Sequence, residues 1–324
     1  GHLDLYVTNL GEDVLLRGDG RAAFADVTAA SGLSDPRWTS AATFFDAEGD
    51  GDLDLYVGAY LLVDLAHPLW CGGREPGWRS ACHPDTYPGL PDRFWLNRGD
   101  GTFVDATLEA GLEGSSGKAL GVAAADLDAD GDLDLYTAND SVENRLWENL
   151  GGGRFRDATL LSGTGVDERG MTEAGMGLAV GDVDGDLDLD LFVTNFDDES
   201  ITLYANQGGG LFGDRTLAAG LDAPSRLPVG FGTVLADLDP DGDLDLAVAN
   251  GHIIDNIHFD HDGKTHAQRA QLFENLGGGR FRELDATTSG GLAAQPWVGR
   301  GLYSGDLDGD GDLDLVLTQC GGPA

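Results

Sequence analysis

The chain has 324 residues, with 57 Asp and Glu against 19 Lys and Arg and a formal net charge of −38. Such an acidic surface excludes nucleic acid as a partner, because phosphate binding needs basic residues, and it disfavours an anionic membrane surface. No apolar run approaches the length of a membrane span, so membrane insertion is not expected.

The N-terminus reads Gly1-His2-Leu3-Asp4, the tail of a D-x-D-x-D-G-x-x-D motif whose complete copies start at Asp46, Asp126, Asp182, Asp237 and Asp306. Each copy leads into a short β-type run: Leu53–Val57, Leu133–Thr137, Leu189–Thr194, Leu244–Ala249 and Leu313–Thr318. A second run ending in Asn follows, as in Arg93–Asn97, Arg145–Asn149, Thr202–Asn206 and Gln271–Asn275. Then comes a glycine turn, Gly99-Asp100-Gly101 or a Gly-Gly-Gly at 151–153, 208–210 and 277–279, supplying the positive φ that tight hairpins need. A strand opening on Phe completes the unit, at Phe24, Phe103, Phe155, Phe212 and Phe281. The small-residue runs before the motifs, such as Gly121–Ala125 and Gly232–Ala236, suit a crowded axis.

Four short strands repeated about every 50 residues predict an all-β chain folded as a β-propeller of four-stranded blades. A parallel β-helix has much shorter repeats. The reading is one propeller domain over residues 1–324, cut within a repeat at both ends. Its blade segments are 1–28, 39–107, 119–159, 175–216, 230–285 and 299–324, so about five to six blades are represented. No convincing helix is expected between the strands.

Nearly half of the acid sits in the motifs, a clustering that an overall acidic coat does not explain. Hard divalent cations take oxygen ligands, and Ca²⁺ accepts six to eight of them at flexible geometry, whereas Mg²⁺ demands a strict octahedron. The spacing resembles an EF-hand loop, with strands in place of the flanking helices. The predicted Ca²⁺ ligands are Asp126, Asp128, Asp130, Asp132 and Asp134; Asp237, Asp239, Asp241, Asp243 and Asp245; and Asp306, Asp308, Asp310, Asp312 and Asp314. Two copies depart from this pattern. In Asp46, Glu48, Asp50, Asp52 and Asp54 a longer Glu arm is expected to be tolerable. In Asp182, Asp184, Asp186, Asp188 and Asp190, Leu187 replaces the turn glycine, so this site is expected to be the weakest of about five. Asp and Gly are common turn residues, but five acids at one spacing, five times over, exceed what turn preference supplies.

These loops, the Phe103-Val104-Asp105-Ala106-Thr107 strand with its following Ala-Gly-Leu, and the segments Ala174-Gly175-Met176-Gly177 and Ala249-Asn250-Gly251-His252 resemble the FG-GAP/VCBS class of propellers, to which the integrin α-subunit head belongs. More closely, they resemble the cartilage acidic protein and ASPIC/UnbV type. The resemblance implies seven blades in a complete protein, bound Ca²⁺ and a location outside the cytoplasm. It leaves the biochemical role undefined.

Two segments break the repeat. Residues 61–92 insert Trp70, Cys71, Trp78, Cys82, His83 and Tyr87. Cys71 and Cys82 would brace that loop as a disulfide in an oxidising compartment, with a Cys/His metal site using His67 or His83 as the lesser alternative. Cys320 is left without a partner. Residues 251–268 carry His252, His258, His261 and His266 among Asp255, Asp260 and Asp262, a candidate second metal or ligand loop whose irregular spacing favours a plain solvated loop. Arg17-Gly18-Asp19 and Arg98-Gly99-Asp100 both read as one hairpin turn, and Asn139-Asp140-Ser141 as a glycosylation acceptor of low specificity.

The chain has no G-x-S-x-G elbow, phosphate loop or dinucleotide fingerprint. Every strong motif serves architecture. The expected function is a calcium-stabilised binding, adhesion or assembly module, secreted, at the cell surface or in the periplasm, with a protein, a glycan or neighbouring subunits as partner. No catalytic residue is assigned; the alternative is a secreted hydrolase or lyase working at the axial mouth or through the histidine-rich loop.

Overall fold

The computed structural model describes residues 2–322 apart from 76, 115, 260–262 and 288–289. The first sheet holds three strands, Leu5–Val7, Val14–Gly18 and Phe24–Asp26. The second holds Thr39–Phe45, Asp54–Ala59, Arg93–Asn97 and Phe103–Asp105, and the third Ala119–Ala125, Asp134–Asn139, Arg145–Asn149 and Phe155–Asp157. The fourth holds Leu178–Gly181, Asp190–Val193, Thr202–Asn206 and Phe212–Asp214. Gly230–Ala236, Asp245–Asn250, Gln271–Asn275 and Phe281–Glu283 form the fifth, and Gly299–Gly305 with Asp314–Gln319 the two-stranded sixth. Within each sheet the strands pair antiparallel in sequence order.

The four-strand repeat makes the fold a β-propeller. Thr39–Phe45, Ala119–Ala125, Leu178–Gly181, Gly230–Ala236 and Gly299–Gly305 pack against one another in succession, so they line the axis. Glycine is required there: a Cβ on Gly121 would meet the Met176 carbonyl oxygen at 2.6 Å, and one on Gly232 the Leu302 nitrogen at 2.5 Å. Hydrophobic clusters fill the spaces between successive sheets. In the second to fifth sheets the second strand is buried on both faces, and the strand period of two decides what each residue touches. Leu135 packs toward the second sheet with Phe94 and Trp147, and Tyr136 toward the fourth with Leu191 and Tyr204.

One-turn helices, which the strand pattern does not predict, follow several outer strands: Thr28–Ser31, Thr159–Ser162 and Thr216–Ala219. The Phe-x-Asp-x-Thr pattern explains them. In the second sheet, which has the same pattern, Asp105 Oδ1 accepts from the Thr107 amide (3.1 Å) and hydroxyl (2.7 Å). Thr107 Oγ1 in turn accepts from the Phe94 amide at 2.9 Å. The chain thus leaves the outer strand folded back onto its neighbour.

Candidate metal centre

Each acidic motif forms the turn between the innermost and second strands of a blade, and its backbone folds around its own carboxylates. In the third blade, Asp126 accepts from the amides of Asp130 and Gly131, both at 3.1 Å. Asp130 Oδ1 accepts from the Asp132 amide at 2.9 Å. Asp134 is buried at the start of the second strand, its Oδ2 held by the Leu127 amide (3.0 Å) and its Oδ1 by the Asn149 amide (2.8 Å). The equivalent bonds recur in the fourth blade, from Val183 and Asn206 to Asp190. In the first sheet Asp4 takes the same role, accepting from the Gly18 amide at 2.9 Å.

The result is a set of carboxylate triads. Oxygen atoms of Asp126, Asp128 and Asp134 lie within 4.8 Å of one another, as do those of Asp182, Asp184 and Asp190, of Asp237, Asp239 and Asp245, and of Asp306, Asp308 and Asp314. Close carboxylates raise one another's proton affinity, and burial raises it further. Burial first, then its neighbours' charge, pushes Asp134 up to about 7 and Asp190 up to about 6. Asp128, Asp184, Asp239 and Asp245 are raised in the same way, with burial the leading cause. A divalent cation would offset both penalties, and the all-oxygen donor set suits a hard ion. The triads therefore fit a cation.

The copy with Leu187, expected to be the weakest, does gather its carboxylates. Leu187 does adopt a left-handed φ of +77°, but its side chain is 87% exposed and the Asp182 triad forms around it. The turn also needs a second left-handed position, two residues earlier, which the motif does not announce: Gly49, Gly185 and Gly309 supply it, and Ala129 adopts it at +62°. Among the described residues the copy that fails to gather is the first, at Asp46, Glu48 and Asp54. Its backbone frame is intact, with Asp46 accepting from the amides of Gly49, Asp50 and Gly51. Its Glu48 Oε2 lies 3.4 Å from where a Cβ on Gly153 of the next blade would stand, and burial, then the neighbouring Asp50, Asp54 and Asp46, raise the Glu48 carboxyl above its ordinary range. The fifth-position residues Asp50, Asp130, Asp186, Asp241 and Asp310 spend an oxygen on a local amide instead of joining the triads. The seventh-position Asp52, Asp132, Asp188 and Asp243 direct an oxygen toward the glycine turn of their own blade, and Asp312 has no such turn in its two-stranded sheet.

Three of these loops are also tied to the following blade. Asn149 Nδ2 donates to the Ala47 carbonyl at 3.0 Å, Asn206 Nδ2 to that of Leu127 at 2.8 Å, and Asn275 Nδ2 to that of Val183 at 2.9 Å. The Asn that ends these three third strands is thus an inter-blade clamp, a role its strand position alone does not reveal, whereas Asn97 donates to the Leu53 carbonyl of its own blade.

This repeated geometry has a counterpart in sequence comparison: residues 1–57, 86–137, 126–193, 182–248 and 259–317 match the FG-GAP-like repeat. The chain belongs to the FG-GAP-like repeat family. Cartilage acidic protein 1 from Homo sapiens is 30% identical over 171 residues, covering 50% of this chain and 24% of that protein. The Mus musculus protein is 30% identical over 172 residues, covering 50% and 25%. This FG-GAP-like chain therefore spans about a quarter of the length of the curated relatives it matches. Among solved structures, an Agrocybe aegerita lectin specific for non-reducing terminal N-acetylglucosamine aligns with a TM-score of 0.48 at 17% identity, covering 98% of this chain and 84% of the lectin. Rhamnogalacturonan lyase YesW aligns with a TM-score of 0.45 at 13% identity, covering 95% and 49%. At those scores neither neighbour bears on this chain's chemistry.

The remaining candidates of this FG-GAP-like chain separate cleanly. Cys71 and Cys82 form a disulfide, with Cα atoms 5.1 Å apart, so neither is a metal ligand. His252 is fully buried, its Nδ1 accepting from the Ile254 amide (2.9 Å) and its Nε2 facing Asp197 (3.2 Å). Lys264 Nζ reaches the same carboxylate at 2.6 Å, so these residues anchor the second insertion. His258 is exposed, His266 half-buried, and His261 lies outside the described residues. Among the described residues no histidine joins a metal-type group. Asn139 is buried and hydrogen-bonded to Lys118 and Glu143, which rules it out as a glycosylation acceptor here. The two Arg-Gly-Asp tripeptides are not equivalent: Gly18 pairs with Phe24 at a strand end, and Gly99 lies in a turn at φ +74°.

Proposed function

We propose that this chain is a calcium-stabilised, extracytoplasmic binding module with no catalytic role. It uses a rigid disc to present its face loops to a protein or glycan ligand or to neighbouring subunits. The observation that carries this reading is the recurrence of one Asp triad in four blades, at a turn that in two of them is clamped to the following blade. Calcium suits these sites because the donors are carboxylates on a flexible turn, and flexible high-coordination geometry disfavours Mg²⁺. Four triads are the principal sites. Asp46, Glu48 and Asp54 form a fifth, weaker one.

The Cys71–Cys82 disulfide supports a location in an oxidising compartment: secretion, the cell surface or the periplasm. The buried carboxylates are held by backbone amides, which suits bracing better than proton transfer. The test is capture of candidate protein ligands and glycans by the immobilised full chain in calcium. Binding that disappears on deletion of residues 61–92 or 251–268 is the expected result. Capture indifferent to both deletions and to calcium removal would refute the module.

A further inference from the structure

The two insertions interrupt blades separated by two others, yet they meet. Asn256 Nδ2 donates to the carbonyls of Gly77 (2.6 Å) and Arg79 (3.1 Å). Trp78 stacks on Phe259 with centroids 5.2 Å apart and planes 21° from parallel. The first insertion is stiffened by the Cys71–Cys82 disulfide and by the pairing of Cys71 with Ser80 and Gly72 with Arg79. The second is anchored by His252 and Lys264 on Asp197. Between them lies an open cleft of about 600 Å³, lined on one side by Arg79 and Ser80 and on the other by Asp255, Asn256, His258 and Phe259. That volume falls within the range of small-ligand pockets.

We propose that this cleft is a binding site for a neutral saccharide, a reading that rests on the binding-module function and gives it a place. A pyranose has an apolar C–H face and a rim of hydroxyls, each of which both donates and accepts. The cleft offers a matching set. Phe259, stacked on Trp78 and beside His258 with ring centroids 4.3 Å apart, remains 49% exposed and provides an apolar wall. Around it stand acceptors (Asp255 and the side-chain oxygen of Asn256, whose nitrogen is held by the first insertion), donors (Arg79) and groups of both kinds (Ser80, His258). Arg79 is steadied over the Trp70 ring at 5.0 Å. Charge selects within the class: the formal −38 of the chain and Asp255 itself repel polyanions, which leaves an uncharged sugar as the fitting occupant. The aromatic surface is broken by polar side chains rather than forming the continuous apolar patch of a protein interface.

The test is an array of neutral oligosaccharides beside a parallel set of sulfated and uronate ones, probed with the full chain in calcium. Hits are then titrated by tryptophan fluorescence. Asp255→Ala and His258→Ala alter exposed side chains, and an unchanged melting temperature verifies their fold. The expected result is binding to a neutral oligosaccharide that weakens about tenfold or more in both variants, a difference of about 1.4 kcal/mol. No binding to any neutral oligosaccharide, binding only to anionic ones, or an affinity in both variants equal to that of the wild type would each overturn the inference. If the chain captures a protein partner and both variants capture it equally, the saccharide cleft fails and the binding module stands. If capture is indifferent both to deleting the two insertions and to removing calcium, the module itself fails.

Discussion

At the scale of single residues, the fold tolerates exceptions to its motif in a way that side-chain direction explains. Leu187 carries the left-handed cost of an L-residue, on the order of 1–2 kcal/mol, but faces water and leaves the triad untouched. Leu187→Gly is therefore expected to stabilise the protein by about 1 kcal/mol, read as a raised melting temperature with calcium affinity unchanged. A fall in stability would show that the exposed side chain contributes something unseen. Glu48 is the opposite case, where one methylene disturbs the cluster. Glu48→Asp is expected to raise the number of strong calcium sites by one in a metal titration. Glu173 gives the pH prediction. Burial pushes its carboxyl up to about 7, with Glu199, Asp167 and Asp214 adding repulsion against hydrogen bonds from Thr202 and Asn195. Its folded pKa lies above its ordinary value of 4.5, so its contribution to stability is full below pH 4.5 and is lost as pH rises through 7. Glu173→Gln should therefore melt higher than the wild type at pH 8 and level with it at pH 5. The reverse order would contradict the buried-charge account.

At the scale of elements, one Asn joins each of three blades to the one before it. Asn206 is buried and holds both the Leu127 carbonyl of the preceding blade and the Leu189 carbonyl of its own. Asn206→Ala orphans both acceptors, each costing about 1–3 kcal/mol. A loss on the order of 2–4 kcal/mol in chemical denaturation is expected; a loss below that would mean water replaces the amide. Strand boundaries here were legible from residues 93–97, 145–149, 202–206 and 271–275, whose bounds the structure reproduces. The Asp-x-Asp-x-Asp spacing and the Phe-opened outer strands mark a local pattern that repetition makes unmistakable. The Asn clamp was not legible, because its partner lies in another repeat: Asn149 reaches Ala47, and nothing in either local pattern encodes that pairing. The one-turn helices were hidden for a different reason, four residues being too few to show a helical period.

At the scale of the whole molecule, the repeat specifies the disc while its two interruptions specify what the disc presents. That Asn256 meets Gly77 and Arg79 follows from the ring bringing distant blades face to face, a relation no periodicity announces. Packing against the neighbouring blade makes His252 a buried anchor instead of a candidate ligand, since Asp197 and Phe196 of the fourth blade's loop enclose it. The central claim is that calcium in the Asp triads holds the blades together. Its most direct test is a calorimetric titration of metal-free protein with calcium, and separately with magnesium, accompanied by thermal melting at each metal content. The account predicts about four strong calcium sites with one weaker site, a melting temperature that climbs as they fill, and little response to magnesium. A melting temperature indifferent to calcium, with no heat of binding, would contradict it.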